Sequence, residues 1–356
     1  MQTPDNDGAS PKEKAAMSDY SYSNVLRSVI ARKDLDRAAA YWAFGQIMDG
    51  LWTEAQVAGL LVAMAAKGET VDEIAGAAAA MREHVVKIDT AGLEVLDTCG
   101  TGGTGLSTFN VSTAAAMVLA GAGVTVAKHG NRTTTRASGS ADVLTALGVK
   151  IDCEPAAITR CLQEAGVGFC FAVRCHPAMK YAAPVRKSLG VRTIFNVLGP
   201  LTNPAGARRQ LMGVFDAGLT ATIAGVLAAL GASRAMVVHA DDGMDEISIT
   251  SATQIAEVVN GKVTVSTVAP EDFGLRRGTL ADLAVDSPAA SAQAVRDVLA
   301  GKDGPRRDIV LLNAAAALVV AEKVPSISQG LSLAASSIDL GKAATALEKL
   351  VAVSNS

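Results

Sequence analysis

The sequence predicts an α/β fold, with a small all-helical domain beside a large α/β domain that has a mostly parallel central sheet. Of the 356 residues, 49% are apolar but only 4% are aromatic, which is typical of helices packed closely on a parallel sheet. Helical periodicity dominates the first part of the chain, whereas short β-prone runs alternate with helical stretches after Leu93. This length exceeds one compact core, so we expect two packed units.

The helical domain is predicted over residues 21–90, with about four short helices. Apolar residues recur there at spacings of three and four. Thr53 with Gln56, and Thr70 with Glu73, have the capping-box spacing that satisfies free N–H groups at a helix start. The preceding residues lack the basic and apolar regions of a signal peptide, so we expect a disordered tail over residues 1–20.

The α/β domain is predicted over residues 91–176 and 206–356. The runs "VTVA", "FCFAV" and "AMVVHA" predict strands followed by turns and helices. Asn260 and Gly261 separate two β-prone runs and predict a hairpin. Residues 177–205, a helical pattern followed by a Pro/Gly/Asn-rich loop, are expected to join the helical domain.

Composition argues against several classes of protein. The formal net charge of −3 gives no positive field for nucleic acid or an anionic membrane surface. Apolar runs shorter than about 20 residues predict no membrane span. Five scattered cysteines without a CxxC pair predict reduced thiols in a cytoplasmic protein. Cys99 is expected to be a small buried side chain rather than a nucleophile, because no histidine lies in its local motif.

A glycine-rich loop follows the first predicted strand. The stretch "DTCGTGGTGLSTFNVSTAA", residues 97–115, places four glycines within residues 100–105, ahead of hydroxyl and amide side chains and a helical run. Glycines let backbone N–H groups surround phosphate oxygens, and a helix N-terminus adds its positive end. The stretch matches neither a Walker loop nor a dinucleotide fingerprint. A tight turn without a ligand is the alternative.

A second loop of this kind lies in "VAKHGNRTTTRASGSADVLTALG", residues 126–148. Lys128, at the end of a predicted strand, would suit a pyrophosphate oxygen. A solvated charge at the strand end is the open alternative. His129 is expected to be a packed, hydrogen-bonded residue rather than a base.

A basic helical stretch follows at residues 176–189. On one helix, His176, Met179, Ala183 and Arg186 would share a face, and the guanidinium could clamp a carboxylate through two parallel hydrogen bonds. Pairing with a structural carboxylate is the alternative. A proline at position 184 should kink such a helix unless a new turn starts there.

An acidic turn follows a further strand in "VVHADDGMDEISIT", residues 237–250. Asp245 and Glu246 supply hard oxygen ligands that suit Mg²⁺ held together with substrate phosphates. Asp241 and Asp242 fit turn chemistry instead, and a solvated acidic loop is the alternative for the whole turn. Taken together, the four blocks predict a phosphorylated substrate with Mg²⁺.

From Ser21 onward the sequence closely resembles the anthranilate phosphoribosyltransferase family. The resemblance rests on "GTGG", "TFNVSTAAA", "KHGNR", "SGSADVL", "HPAMK", "VRTIFNVLGPLTNPA" and "DEIS", which occur in this order. It implies a fold related to the pyrimidine nucleoside phosphorylases and a homodimer formed through the helical domain. It also implies a glycosyltransferase of tryptophan biosynthesis that moves the phosphoribosyl group of 5-phosphoribosyl 1-pyrophosphate (PRPP) to the amine of anthranilate, releasing pyrophosphate.

The resemblance also implies roles for individual residues. The donor would contact Gly100, Thr101, Gly103, Thr108, Asn110, Ser112, Thr113, Lys128 and Ser140. Anthranilate would contact Gly100, His129, Asn131, His176, Met179, Arg186 and Pro200. Mg²⁺ would be held by Ser112, Asp245 and Glu246. No side chain is expected to act as a catalytic base, and Lys128 and Arg186 are expected to matter most through electrostatics and positioning.

One departure from the family concerns the metal. Family members often carry Asp where this chain has Thr104, and "RTTTRASG" replaces a more usual Ser-containing loop, so we expect a changed Mg²⁺ dependence. Two alternatives stay open beside the transferase. A pyrimidine nucleoside phosphorylase-like enzyme would use inorganic phosphate, but "VRTIFNVLGPLTNP" argues against it. A non-catalytic nucleic-acid-binding relative would favour a basic groove, which the net charge of −3 does not suggest.

Overall fold

The structure is a computed structural model that describes residues 20–133 and 137–356. The predicted tail, apart from its last residue, and the middle of the "RTTTRASG" loop lie outside the described residues. The chain forms two units. The first comprises the residues up to His84 together with Ala178–Leu198, and the second comprises Val85–Pro177 and Gly199–Ser356.

The first unit is helical. Within its described residues four helices come first: Tyr22–Ile30, Arg37–Met48, Glu54–Lys67 and Val71–Glu83. Capping boxes at Thr53 and Thr70 start the third and fourth helices, as the spacing predicts. Gly76 lets the second and fourth helices approach, because a Cβ there would lie 2.3 Å from the carbonyl oxygen of Arg37.

The later segment of this unit forms three short helices. A 3₁₀ helix at Pro177–Tyr181 is followed by α-helices at Ala183–Leu189 and Phe195–Leu198. Pro184 lies in the first turn of the second piece, where its missing N–H has no cost. The predicted common helical face for residues 176–186 is therefore wrong. His176 belongs to the second unit, whereas Arg186 belongs to the first.

The second unit is built on a sheet of seven strands in its described residues, with the order β3-β2-β1-β4-β5-β6-β7. The strands are β1 Val95–Gly100, β2 Thr125–Gly130, β3 Val167–Phe171, β4 Arg209–Gly213, β5 Arg234–Ala240, β6 Thr253–Val259 and β7 Lys262–Val268. The first five pair in parallel, and β6 and β7 are antiparallel additions. The mostly parallel sheet is thus confirmed.

Helices pack on this sheet. They are Val111–Gly121, Ser140–Ala146, Pro155–Ala165, Ala172–Cys175, Leu219–Ala229, Leu280–Leu283, Pro288–Leu299, Pro305–Val320, Ile327–Asp339 and Lys342–Ser354, with 3₁₀ turns at Gly199–Leu201 and Pro270–Phe273. Every residue from Ile309 to Val320 is buried, so that helix forms the centre of the core. Among the described residues, no helix combines the length and apolar character needed to cross a membrane.

The predicted hairpin joins β6 to β7. Val259 pairs with Lys262, and the two residues between them, Asn260 and Gly261, have φ angles of 50° and 76°. Positive φ at both positions is the two-residue turn that matches the twist of the flanking strands.

Strand order creates a crevice at one edge of the sheet. From β1 the chain runs outward to β2 and β3, then returns to β4 on the other side of β1. In open α/β sheets ligands bind outside the carboxyl ends of the strands at such a switch point. β1 ends at Gly100 and β4 ends at Gly213, so the glycine-rich loop begins at this point.

Candidate active site

The glycine-rich loop exposes bare main chain at the crevice. Gly102, Gly103 and Gly105 have φ angles of 65°, 74° and 75°, in the left-handed region that glycine adopts without strain. The N–H of Thr101 donates to the carbonyl oxygen of Gly213 at the end of β4 over 2.9 Å. Successive backbone N–H groups in such a conformation can surround an anion.

The far end of the loop is fastened to a later segment of the chain. The N–H of Phe109 donates to the carbonyl oxygen of Leu283 over 2.9 Å, and the N–H of Val285 donates to that of Ser107 over 3.0 Å. Thr108 forms an isolated antiparallel bridge between these contacts. The loop is therefore held at both ends.

Asn110 closes the loop and precedes the helix Val111–Gly121. Its amide oxygen accepts hydrogen bonds from the hydroxyls of Ser138 and Ser291, the latter over 2.8 Å. Its backbone N–H donates to Ser291 Oγ over 3.1 Å. Because both hydroxyls donate to Oδ1, the orientation of the side-chain amide is fixed. Thr113, one turn into the helix, is fully buried, and its hydroxyl has no hydrogen-bond partner within the described parts of the chain.

The acidic turn after β5 meets the glycine-rich loop and the helix that follows it. The N–H of Gly102 donates to Asp245 Oδ2 over 3.0 Å. The N–H of Ser112 donates to Glu246 Oε1 over 3.2 Å. The structure thus brings the three predicted metal residues together at the carboxyl edge of the sheet.

Two strand-end glycines make room for this turn. A Cβ on Gly100 would lie 2.6 Å from Asp245 Oδ2, and one on Gly213 would lie 1.8 Å from the carbonyl oxygen of Asp245. A side chain at Gly213 would push the turn away from the switch point, and one at Gly100 would displace the carboxylate of Asp245. The glycines are therefore required by close approach rather than by backbone conformation.

The donor set fits Mg²⁺ that is shared with a substrate. Asp245, Glu246 and Ser112 supply only hard oxygens, which Mg²⁺ prefers. With Asn313 they border a cavity of about 10 Å³, close to the space of a single water molecule. Among the described residues no group of three or more His, Cys, Asp or Glu side chains could hold a metal alone. Substrate phosphate oxygens and water would complete the coordination, as is usual for this ion.

Lys128 is almost fully buried beneath the loop, with 2% of its surface exposed, so the alternative of a solvated charge is wrong. Its ammonium donates to the carbonyl oxygen of Thr98 and, over 3.2 Å, to the hydroxyl of Ser112. Burial lowers the pKa of Lys128, while the negative charges of Asp97, Glu246 and Asp245 oppose that shift. The positive charge therefore lies directly behind a predicted metal ligand.

Asp97 organises the floor of the site. This fully buried carboxylate accepts the N–H of His129 over 3.1 Å and the thiol of Cys99 over 3.3 Å, with a further hydrogen bond from the side chain of Asn203. Burial raises the pKa of Asp97, and burial together with the charge of Asp97 raises the pKa of Cys99 well above its usual value. Cys99 is accordingly a packed thiol, as predicted, and not an activated nucleophile.

Two buried histidines contact each other next to this floor. The Nε2 atoms of His129 and His176 lie 3.1 Å apart. Burial lowers the pKa of His129 to about 3 and that of His176 to about 4, so both rings are neutral at pH 7. His129 also bonds the backbone of Gly199, and one of the two neutral rings donates to the other through Nε2. His129 is thus packed and hydrogen-bonded, as predicted.

Three more predicted residues make contacts close to β2 and β4. The hydroxyl of Ser140 donates to the carbonyl oxygen of Asn131 over 3.3 Å, and a Cβ on Gly130 would lie 2.1 Å from that hydroxyl. The carbonyl oxygen of Pro200 accepts the side-chain amide of Gln210 over 2.7 Å. The second loop therefore packs closely against the end of β2.

Met179 and Arg186 lie in the first unit. Met179 belongs to the 3₁₀ helix Pro177–Tyr181. The guanidinium of Arg186 lies 5.4 Å from the centre of the Phe195 ring, a cation–π distance, and burial lowers its pKa. Within the described residues, Arg186 forms no ion pair with a carboxylate. Its role in binding the carboxylate of anthranilate therefore stays a prediction.

Several residues that shape the site are given no role by the sequence motifs. Gly213 ends β4, Ser291 clamps Asn110, and Asn203 bonds Asp97. Asn313 bonds the backbone of the acidic turn. Two of these residues carry a sequence signal: Asn313 is a lone polar residue in the apolar run "IVLLNAAAALVV", and Asn203 lies in the motif "VRTIFNVLGPLTNPA". Gly213 and Ser291 depend on contacts distant along the chain.

Comparison with known proteins agrees with this geometry. Residues 23–85 match the profile "Glycosyl transferase family, helical bundle domain", and residues 92–344 match "Glycosyl transferase family, a/b domain". The anthranilate phosphoribosyltransferase of Symbiobacterium thermophilum is 51% identical over 326 residues, which cover 92% of this chain and 96% of the relative.

Solved structures give the same result. The crystal structure of anthranilate phosphoribosyltransferase from Thermus thermophilus superposes with a TM-score of 0.89 at 41% identity, covering 93% of this chain and 99% of that one. The Saccharomyces cerevisiae enzyme in complex with PRPP and Mg superposes with a TM-score of 0.86 at 26% identity, covering 95% and 99%. That enzyme is also known in complex with 4-fluoroanthranilate. The chain therefore belongs to the anthranilate phosphoribosyltransferase family of glycosyl transferases.

Proposed function

We infer that this protein transfers the 5-phosphoribosyl group of PRPP to the amine of anthranilate, giving N-(5-phosphoribosyl)anthranilate and pyrophosphate. The observation that carries the inference is the meeting of the glycine-rich loop with Asp245, Glu246 and Ser112 at the switch point of the sheet. A glycine-rich main chain beside hard oxygen ligands suits a diphosphate accompanied by a divalent cation. Membership of the family makes PRPP the diphosphate concerned.

The donor is proposed to lie along the loop, with its phosphates beside Gly100, Thr101 and Gly103. The first turn of the helix after Asn110 adds the positive end of a helix dipole. Thr108, Thr113 and Ser140 are the other positions that the resemblance assigns to the donor. Of these, the Thr113 hydroxyl is fully buried, so a shift of the first helical turn would have to accompany any direct contact.

Mg²⁺ is proposed to be held by Ser112, Asp245 and Glu246, and to supply electrostatic stabilisation of the pyrophosphate oxygens. The carboxylates would hold the cation, and the buried ammonium of Lys128 adds a second positive charge behind Ser112. Together the two charges would stabilise the negative charge that develops as the anomeric C1–O bond lengthens. Such fixed charges stabilise the transition state without reorganisation.

We propose that the reaction of the acceptor, anthranilate, depends on how its amine is positioned rather than on a catalytic base. Gly100, Asn131, His129, His176 and Pro200 are the residues of the second unit that the resemblance assigns to anthranilate. The amine is largely unprotonated at neutral pH, so orientation supplies much of the rate. Met179 and Arg186 of the first unit are proposed to contribute to the same step, with the guanidinium pairing with the carboxylate.

The test is an enzyme assay with the purified protein. Loss of anthranilate fluorescence should require PRPP and Mg²⁺ together, and should stop when either is left out. Phosphorolysis of thymidine or uridine with inorganic phosphate, without use of PRPP, would instead establish the phosphorylase alternative. Retardation of nucleic acid in a gel at moderate salt, with neither reaction, would establish the binding alternative.

We also propose that the protein acts in tryptophan biosynthesis in the cytoplasm as a homodimer formed through the helical unit. Five free, buried cysteines fit a reducing compartment. The helical unit carries an aromatic cluster of Tyr20, Tyr22, Trp42 and Trp52, with ring centres 5.0 to 5.8 Å apart. The side chains of Ile30 and Leu51 are 67% and 65% exposed on the same unit. Exposed apolar residues near aromatic rings are typical of an interface.

A further inference from the structure

Asn313 lies in the buried helix Pro305–Val320, and 1% of its surface is exposed. A polar side chain in such a position is retained only where its hydrogen bonds are satisfied. Its amide oxygen accepts the N–H of Ile247 over 2.9 Å. Its amide nitrogen donates to the carbonyl oxygen of Ile247 over 2.8 Å and to that of Ile309 over 2.9 Å.

These bonds grip one particular residue of another segment. The N–H and the carbonyl oxygen of Ile247 are both bound by one side chain, as a neighbouring strand would bind them. Ile247 directly follows Asp245 and Glu246, and no strand lies at this position. Asn313 therefore takes the place of a missing backbone partner for the acidic turn.

The opposite side of the turn is fixed by close contact. The backbone of Asp245 lies against Gly213, whose missing Cβ leaves the required space. The carboxylate of Asp245 accepts the N–H of Gly102. The turn is thus fixed between the strand ends on one side and Asn313 on the other. Asn313 also borders the small cavity that Ser112, Asp245 and Glu246 line.

We propose that Asn313 is the positioning residue for the divalent cation: it does not bind the metal, but holds Asp245 and Glu246 in the arrangement that does. This inference rests on the proposed function. Removing the amide leaves the N–H and the carbonyl oxygen of Ile247 buried without partners, so the turn shifts to satisfy them. Partners that orient metal ligands typically change metal affinity about 10- to 100-fold when removed.

The experiment measures Mn²⁺ binding by electron paramagnetic resonance, with PRPP present and anthranilate absent, so that no turnover occurs. Asn313→Ala should weaken Mn²⁺ binding about 10- to 100-fold. Steady-state assays should show a matching rise in the Mg²⁺ concentration needed for half-maximal rate, with an unchanged KM for anthranilate. Wild-type affinity for Mn²⁺ in a folded Asn313→Ala protein would overturn the proposal.

Ser354→Ala is the matched control. Ser354 is a buried polar residue of the same unit that accepts the N–H of Lys150 over 3.2 Å, so its removal also leaves a backbone N–H without its side-chain partner. It should lower thermal stability without changing Mn²⁺ affinity. Equal losses of affinity in both variants would show a general loss of structure and would also overturn the proposal.

If Asn313→Ala does not fold, a second variant and a measurement on the wild-type protein still test the proposal. Asn313→Leu keeps most of the side-chain volume and removes both the acceptor and the donors for the backbone of Ile247, so it should weaken Mn²⁺ binding as well. In the wild type, Mg²⁺ with PRPP should slow hydrogen exchange at the amide of Ile247, because the cation stabilises the gripped turn. Unchanged exchange there, with PRPP and metal bound, would contradict the proposal. Absence of Mn²⁺ binding by the wild type would instead count against the proposed function.

Discussion

At the scale of single residues, the candidate site is built from buried charged and polar side chains. Lys128 is covered by the loop and bonds Thr98 and Ser112, and Asp97 bonds three partners below it. Such groups are costly to bury without partners, but they are rigid once satisfied. These side chains are therefore held in place by the protein itself, which is the condition for electrostatic catalysis.

Lys128 and Arg186 should separate the two substrates. Lys128→Ala removes the positive charge behind Ser112, so it should raise the KM for PRPP and leave that for anthranilate nearly unchanged. Arg186→Ala should do the reverse, because the guanidinium is proposed to meet the acceptor carboxylate. Steady-state kinetics with each substrate varied in turn measures both effects. The opposite pattern would contradict the two assignments.

Ser291 should influence the donor through Asn110. Its hydroxyl donates to the side chain of Asn110 and accepts the N–H of the same residue. Ser291→Ala should cost about 1 kcal/mol, or roughly a fivefold rise in the KM for PRPP. Ser337→Ala is the control, since Ser337 bonds the carbonyl oxygen of Val118 later in the same helix. A similar rise in the control would show that the effect is not specific to Asn110.

The paired histidines should make the folded protein sensitive to acid. Their pKa values of about 3 and about 4 in the folded state lie below the ordinary value of about 6.5. The unfolded chain therefore binds more protons as pH falls below about 6.5, and stability falls by roughly 1.4 kcal/mol per histidine and pH unit. His176→Gln should remove one histidine's share of this slope in urea unfolding between about pH 6.5 and 4.5. An unchanged slope would show that His176 is not buried neutral.

Some residues of the candidate site could be predicted from the sequence, whereas the contacts that hold them could not. The motifs "KHGNR" and "DEIS" identify Lys128, Asp245 and Glu246 as site residues. Local sequence does not distinguish a buried from a solvated lysine, because burial depends on the loop folding over it. Ser291 and Asn313 contact the site from helices far along the chain, so no spacing within a motif reveals them.

The glycine-rich loop and the acidic turn act together at the scale of elements. Loop and turn come from different strands, and the parallel order of β1, β4 and β5 brings their carboxyl ends to one edge. Strands, capping boxes and the hairpin are predictable, because each depends on neighbours along the chain. Pro184 starts a new helix, which is one of the two outcomes that its position allows, and the spacing of side chains alone does not distinguish this break from a kink.

Thr104 tests the contribution of the loop to metal binding. Its hydroxyl accepts the N–H of Leu106 over 3.3 Å and so belongs to a local turn. An aspartate can make the same turn and adds a negative charge. We therefore expect Thr104→Asp to lower the Mg²⁺ concentration needed for half-maximal rate relative to the native protein. Identical Mg²⁺ titration curves would exclude a role for this position.

At the scale of the whole molecule, we predict a homodimer formed through the helical unit. Leu51 is exposed on the helical unit, beside Trp52 in the sequence. If the unit forms the dimer interface, Leu51→Glu should shift sedimentation toward the monomer and change the emission of the two tryptophans. Leu340→Glu is the matched control, because Leu340 is 66% exposed on the other unit. Dissociation by the control alone would place the interface elsewhere.

The central claim is that a sugar diphosphate and a divalent cation bind together where β1 and β4 end. A crystal structure of the protein with PRPP and Mg²⁺ tests it most directly. We expect the diphosphate against the main chain between Gly100 and Gly105, with the cation between its oxygens and the carboxylates of Asp245 and Glu246. Density for PRPP at any other place on the molecule, with this loop and turn unchanged, would contradict the claim.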